Sequence, residues 1–372
     1  MIRLLAIGIC AALTFGCEKT EESAPVQVQK AEQPLRIGYF HGGRNVLVYR
    51  AWTSGWYDDV GLDIVLRATK QPESKEFFDM PKSADALAAA KKRRKTKYFG
   101  RTTGPTIVGE MKKGGLDCGM IGESSFLLVV DEGLPYTAVA KMGQDSREEP
   151  GKILVVRSDL DIKRPEDMIG MTIGSRESGP YDMVMTREFI LSRGLRLDQL
   201  TILDQIPQQP LKDKLKAQEL DLAFLHLHIA SKMVTRGLYK RYPGFEFDFA
   251  DPALSQSLLV CKNTVIEDER SRLIQFIETT ISRIVYEQAL PEAQRRSHQG
   301  DKTKGMELRT FKGLNLPQYD PQPYIEVSLL ATMQGLLVKH GIISKAKAIV
   351  PYVDNSLVEE ALKRRGVKNS PK

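Results

Sequence analysis

The 372-residue sequence predicts an α/β protein of two similar lobes. From Leu35 onward short apolar runs alternate with helical patterns, as strands joined by crossover helices in a mainly parallel sheet would. The alternation runs twice, and the two series echo each other. Leu116-Asp117-Cys118-Gly119-Met120-Ile121 has the pattern of Leu220-Asp221-Leu222-Ala223-Phe224-Leu225, and Thr103-Gly104-Pro105 that of Ser178-Gly179-Pro180, each triplet opening a helix.

In chain order, Met1-Ile2-Arg3 supplies one positive charge, Leu4 to Phe15 is apolar, and the sequence turns polar at Glu18. Residues 1–16 therefore read as a secretory signal peptide, since the apolar stretch falls short of the ~20 residues that cross a bilayer. Leu13-Thr14-Phe15-Gly16-Cys17 resembles a bacterial lipobox, which makes Cys17 the expected lipidation site and residues 17–34 a polar tether.

The body then opens with a strand over Leu35–Phe40, a helix over Arg44–Tyr57 with Val48, Trp52 and Trp56 four apart, and a strand over Leu62–Thr69. Residues 70–103 break the rhythm and read as a basic insertion, with a short helix over Ala84–Ala90. Strands follow at Leu116–Gly122 and Thr137–Met142. The second lobe, 152–257, has strands at Lys152–Arg157, Met171–Ser175, Leu200–Ile206 and Leu220–Leu225, and a helix over Gly179–Arg193 stopped by Gly194. After a strand at Ser255–Asn263 the chain turns helical over Ile266–Gln288, Tyr324–His340 and Ser356–Arg364, returning to the first lobe, 35–151 with 258–372.

The net charge of +7 and pI near 9.0 raise the question of a polyanion partner. Most of the excess sits in two runs, Lys91, Lys92, Arg93, Arg94, Lys95 and Lys97, and Lys363, Arg364, Arg365, Lys368 and Lys372, without which the chain is acidic. A nucleic-acid binder spreads its cations over a docking face, so the runs read as local solvated charge and no nucleic-acid partner is expected. Apolar residues at 42% and a mean hydropathy of −0.28 describe a water-soluble body. Cys118 and Cys261 lie inside apolar runs and read as two separate buried thiols. No Cys-x-x-Cys, His-Glu-x-x-His, Gly-x-Ser-x-Gly, Walker A or Gly-x-Gly-x-x-Gly pattern occurs, so no catalytic residue, metal or cofactor is predicted.

Several segments together resemble the nitrate, sulfonate and taurine type of ABC-transporter substrate-binding protein, a group that includes binders of thiamine-precursor pyrimidines. They are Arg36-Ile37-Gly38-Tyr39, Gly55-Trp56-Tyr57 through Gly61-Leu62-Asp63, and Gly115-Leu116-Asp117 through Ile121-Gly122. Leu154-Val155-Val156-Arg157, Pro165 through Gly174, Gly341-Ile342-Ile343 and Tyr352-Val353-Asp354 complete the set. The resemblance implies a two-lobed periplasmic-binding-protein type II fold, a monomer whose partners are a small solute and an ABC permease with its ATPase. It also implies residence in the bacterial periplasm or at the cell surface, anchored to the membrane by lipid.

In open α/β sheets ligands sit beyond the carboxyl ends of the strands. That places His41 and Arg44 after the first strand, Thr102 and Thr103 before a helix, and Glu123, Ser124 and Ser125 after the fourth strand among the candidates. In the second lobe the candidates are Ser175, Ser178, Gly179, Tyr181 and His226. His41, Glu123, His226 and His228 lack the spacing of a metal site. Three readings follow in order: delivery of a small anionic or amphoteric solute to an importer, a thiamine-pyrimidine binder or synthase-like enzyme, and a ligand-sensing surface lipoprotein.

Overall fold

The computed structural model describes residues 33–40, 43–71, 76–83, 97–98, 102–146, 151–177, 179–242, 250–291, 293–295 and 319–366. The leader, Cys17, most of the tether, Ala84–Ala90 and the run Lys91–Lys95 lie outside them. Two sheets organise the chain. The first holds β1 (Leu35–Gly38), β2 (Ile64–Gln71), β3 (Phe77–Asp79), β4 (Lys97–Tyr98), β5 (Cys118–Gly122), β6 (Tyr136–Gln144) and, late in the chain, β12 (Gln256–Lys262). Its order is β3-β2-β1-β5-β12-β6, with β4 on β2. The second sheet holds β7 (Lys152–Arg157), β8 (Thr172–Arg176), β9 (Thr201–Ile206), β10 (Leu222–His226) and β11 (Tyr239–Arg241), in the order β11-β7-β10-β8-β9.

The sheets are mixed rather than mainly parallel. β1 runs parallel to β2 and β5, and β8 parallel to β9 and β10, as crossover helices require. β12 and β7 run antiparallel to their neighbours. Both strands follow a passage of the chain from one sheet to the other, so neither is delivered by the crossover helix that makes its neighbours parallel. β12 joins the first sheet from Gln256, so the boundary expected at 257/258 falls inside a strand.

Among the described residues the named helices are α1 (Val46–Thr53), α2 (Trp56–Asp59), α3 (Gly104–Lys112), α4 (Glu123–Glu132), α5 (Pro180–Ser192), α6 (Gln208–Lys216) and α7 (Leu227–Thr235), then α8 (Asn263–Asp268), α9 (Arg270–Ala289), α10 (Val327–Lys339) and α11 (Ser356–Arg364). The single helix expected over Arg44–Tyr57 is broken because Gly55 takes a left-handed φ of +80°, which ends α1 and starts α2. The one expected over Ile266–Gln288 divides at Glu269. Trp52 is buried and donates to the Ile64 carbonyl at 3.2 Å, while Trp56 packs edge-on to Tyr286, so both belong to the packing around α1, α2 and α9.

Cys118 and Cys261 are joined in a disulfide, which overturns the expectation of separate thiols. They face each other directly across the antiparallel β5–β12 pair with Cα atoms 4.0 Å apart. Their apolar flanks reflect two core strands, and the pairing depends on a register between segments 143 residues apart, which local sequence does not display.

Candidate functional site

The carboxyl ends of β1, β5, β8 and β10 meet where the two sheets face each other, as the strand-end rule anticipates. The chain crosses between the sheets twice, side by side. After β6 it passes through Asp145, whose N–H donates to the Ser255 carbonyl at 3.0 Å on the returning strand. Gly151 follows before β7, and a Cβ there would lie 2.5 Å from the Asp145 carboxylate, which would have to shift to admit a side chain.

Arg44 sits in a 3-10 turn, Gly43–Asn45, directly after β1. Its guanidinium donates to Ser255 Oγ at 2.6 Å and to the Gln256 carbonyl at 3.0 Å, and lies 3.7 Å from Glu123 Oε2. Glu123 opens α4 and accepts the Gln256 N–H at 2.8 Å. Burial pushes the Glu123 carboxyl above the usual carboxylate range, against the pull of Arg44, Lys152 and the Gln256 N–H. The site therefore begins as a buried, paired cation rather than a free one.

On the other sheet, Lys152 begins β7 and its ammonium lies 2.7 Å from Asp182 Oδ1 and 3.6 Å above the centre of the Tyr181 ring. Burial lowers the Lys152 pKa, and Asp182 opposes that shift. Arg176, at the end of β8, reaches Asp182 Oδ2 at 3.7 Å and His226 Nε2. Among the described residues, Arg44, Lys152 and Arg176 face Glu123, Asp145 and Asp182, so these three cations and three anions balance in formal charge.

Ser124 and Ser125 bring the two glycine-proline helix starts together. A Cβ on Gly104, the first residue of α3, would fall 2.2 Å from Ser125 Oγ. A Cβ on Gly179, just ahead of α5, would fall 3.2 Å from Ser125 Oγ and 3.6 Å from Ser124 Oγ. One serine thus lies against both glycines, one from each side of the cleft, and the two helix N-termini converge there.

The remaining expected residues fall in different places. Thr103 caps α3 by accepting the Thr106 N–H. Thr102 is buried and held by Thr69, whose N–H and Oγ1 lie 2.9 and 2.8 Å from Thr102 Oγ1, so it ties the insertion back to β2. Ser175 donates to Asp204 at 3.1 Å. His41 and Ser178 lie outside the described residues. Lys152, Arg176, Asp182 and Asp145 are the charged residues that sequence reasoning missed. The available signal was a lysine opening an apolar strand run straight after Gly151, and an aspartate in the first turn of α5.

Two α/β sheets facing each other across a cleft lined by strand ends define the periplasmic-binding-protein fold. The chain belongs to the NMT1/THI5-like family, whose model matches residues 103–293. No curated protein matches it by sequence. Among solved structures it is similar to the ligand-binding component of an ABC-type import system from Staphylococcus aureus with zinc bound, at 11% identity and a TM-score of 0.65 over 89% of this chain and 99% of that one. It is similar also to a putative periplasmic sulfonate-binding protein from Methylobacillus flagellatus, at 13% identity and a TM-score of 0.63 over 93% and 98% of the two chains. The desulfurization enzyme DszB shares the architecture at 13% identity and a TM-score of 0.57 over 89% and 99%.

Proposed function

We propose that the protein is the solute-binding component of an ABC importer, closing its two lobes, 35–151 with 256–372 and 152–255, over a small polar solute. The observation that carries this reading is the convergence of two helix starts from opposite sides on Ser125, amid paired charges at the strand ends. Neighbours of the same fold that bind sulfonates support it. DszB shows that the fold also serves an enzyme. Against catalysis here, Arg44, Glu123, Lys152, Arg176 and Asp182 each hold one another or the backbone, an arrangement suited to orienting a solute.

The balanced charge narrows the solute. A bare anion gains little from Arg44 or Lys152, because each is already neutralised by a carboxylate. An amphoteric molecule, bearing a sulfonate or carboxylate and an amine, replaces partners of both signs without stranding a buried charge. An uncharged pyrimidine is the second choice. The contacts fall to Arg44, Glu123, Ser124, Ser125, Gly179, Tyr181 and His226.

Native mass spectrometry of the purified protein tests the reading. A retained small molecule, or a thermal shift with amino-sulfonates, amino acids or pyrimidines, supports it. An empty protein that no member of that panel stabilises overturns it.

Among the described residues no helix is long and apolar enough to cross a membrane. Attachment beside the permease is assigned to lipid on Cys17, in the periplasm or at the cell surface. The Cys118–Cys261 disulfide supports export, because such bonds persist in oxidising compartments. Cys17→Ser should release the protein from membranes; unchanged membrane association would remove the lipid anchor from the model of function.

A further inference from the structure

The two sheets are tied together a second time, away from the strand ends. Glu188 lies on α5, which packs on the second sheet, and its carboxylate meets the C-terminal end of α10, a helix of the returning segment that packs both on α4 of the first body and on α5. Lys339 Nζ lies 2.7 Å from Glu188 Oε1 and 2.9 Å from Oε2, and His340 Nε2 lies 2.5 Å from Oε1. Lys339 is half exposed, but the His340 side chain is only 4% exposed and that of Glu188 11%. A carboxylate on a helix of the second lobe is therefore sealed against the end of a helix that also packs on the first.

We propose that Glu188, Lys339 and His340 form an inter-lobe latch that holds the closed arrangement and so sets how tightly the cleft retains its solute, without touching it. The inference rests on the reading of the protein as a binder that closes. α5 carries both ends of the connection. Its first turn, Pro180-Tyr181-Asp182, lines the cleft, and Glu188 lies eight residues from Pro180, or ~12 Å along the same rigid helix. The first turn cannot swing away from Ser125 as a body without also displacing Glu188 from Lys339 and His340. Energy stored in the latch is therefore paid back on opening, and by linkage it enters the affinity of the cleft. These are positioning residues, since their effect runs through the closed state.

Hydrogen exchange by mass spectrometry on the purified, ligand-free protein tests this, with residues 122–127 and 179–186 reporting the two cleft faces. Glu188→Gln should raise exchange in both segments about tenfold, the factor expected for one lost charge-assisted hydrogen bond. Lys163→Met, which removes an exposed ion pair with Asp161 in the same lobe, should leave both unchanged. Combining Glu188→Lys with Lys339→Glu should return both segments toward wild-type exchange, relative to Glu188→Lys alone. Faster exchange confined to residues 336–343, slower exchange at the cleft faces, or a reversed pair as exposed as Glu188→Lys would each overturn the latch. Because no solute is present, these outcomes are independent of whether mass spectrometry finds one.

Discussion

The Lys152 ammonium lies 2.7 Å from the Asp182 carboxylate, with both side chains sealed from water. One begins the strand that follows the crossing between sheets, and the other sits in the first turn of α5. The pair thereby fixes the helix that faces Ser125 to the point where the chain enters the second sheet. Such a pair adds little net stability when intact, since desolvating both ions offsets their attraction. Removing one partner is a different matter, because it leaves a buried charge uncompensated.

Asp182→Asn is therefore expected to lower the unfolding free energy by about 3–5 kcal/mol, and Asp182→Leu combined with Lys152→Met to recover only part of that loss, because Arg176 also loses its carboxylate partner. Denaturant titration checks both variants. A wild-type midpoint for Asp182→Asn would mean that the two charges are not buried together in solution.

Glu123 gives the site a pH dependence whose sign follows from its environment. Burial raises its folded-state pKa above the unfolded value, against Arg44, Lys152 and the Gln256 N–H. The folded protein then holds the proton more tightly than the unfolded chain. The stability that protonated Glu123 contributes is present below the usual carboxylate pKa and is lost as pH rises through the raised folded value. Glu123→Gln removes that loss while its amide oxygen can still accept the Gln256 N–H. Denaturation midpoints measured from about pH 4 to pH 8 should show the variant gaining on wild type as pH rises, then a constant difference. A difference that is flat across the range, or of opposite slope, would refute the assignment.

Much of this site was legible because strand ends and helix caps have local signatures. Gly104-Pro105 and Gly179-Pro180 mark helix starts by backbone chemistry alone, and Glu123 and Arg44 follow apolar strand runs directly. Lys152 and Asp182 were not legible. Each reads locally as an ordinary polar end of its element, and only the β7-β10-β8 order of the second sheet, with α5 following β8, sets one beside the other. The same holds for Cys118 and Cys261, whose partnership is a matter of strand register, and for Thr102, whose partner on β2 is 33 residues away. The break at Gly55 shows the reverse error. Apolar spacing of four continued past it, but a left-handed glycine stops the helix regardless of spacing.

The disulfide closes a loop of 143 residues between two central strands of the first sheet, and both cysteines are fully buried. Replacing both by serine should cost about 3–5 kcal/mol, the range for a long closed loop. Mild reductant should leave the folded protein oxidised and act only once denaturant opens the sheet, as read by alkylation and intact mass. Free thiols in the folded, unreduced protein would contradict the bond.

Gly179 offers a way to prop the cleft open. Its φ of +93° lies where side chains are strained, and a Cβ would stand 3.2 Å from Ser125 Oγ across the cleft. Gly179→Ala therefore combines a backbone cost of about 1–3 kcal/mol with a wedge between the lobes. Gly170 separates the two effects, because its φ is +84° but a Cβ there meets nothing within 4 Å. Both alanine variants should be destabilised. Only Gly179→Ala should raise the radius of gyration by small-angle scattering, since only its methyl group stands between the two bodies. Equal scattering from the two variants would mean that Ser125 yields to the methyl group, and that contact between Gly179 and Ser125 does not limit closure.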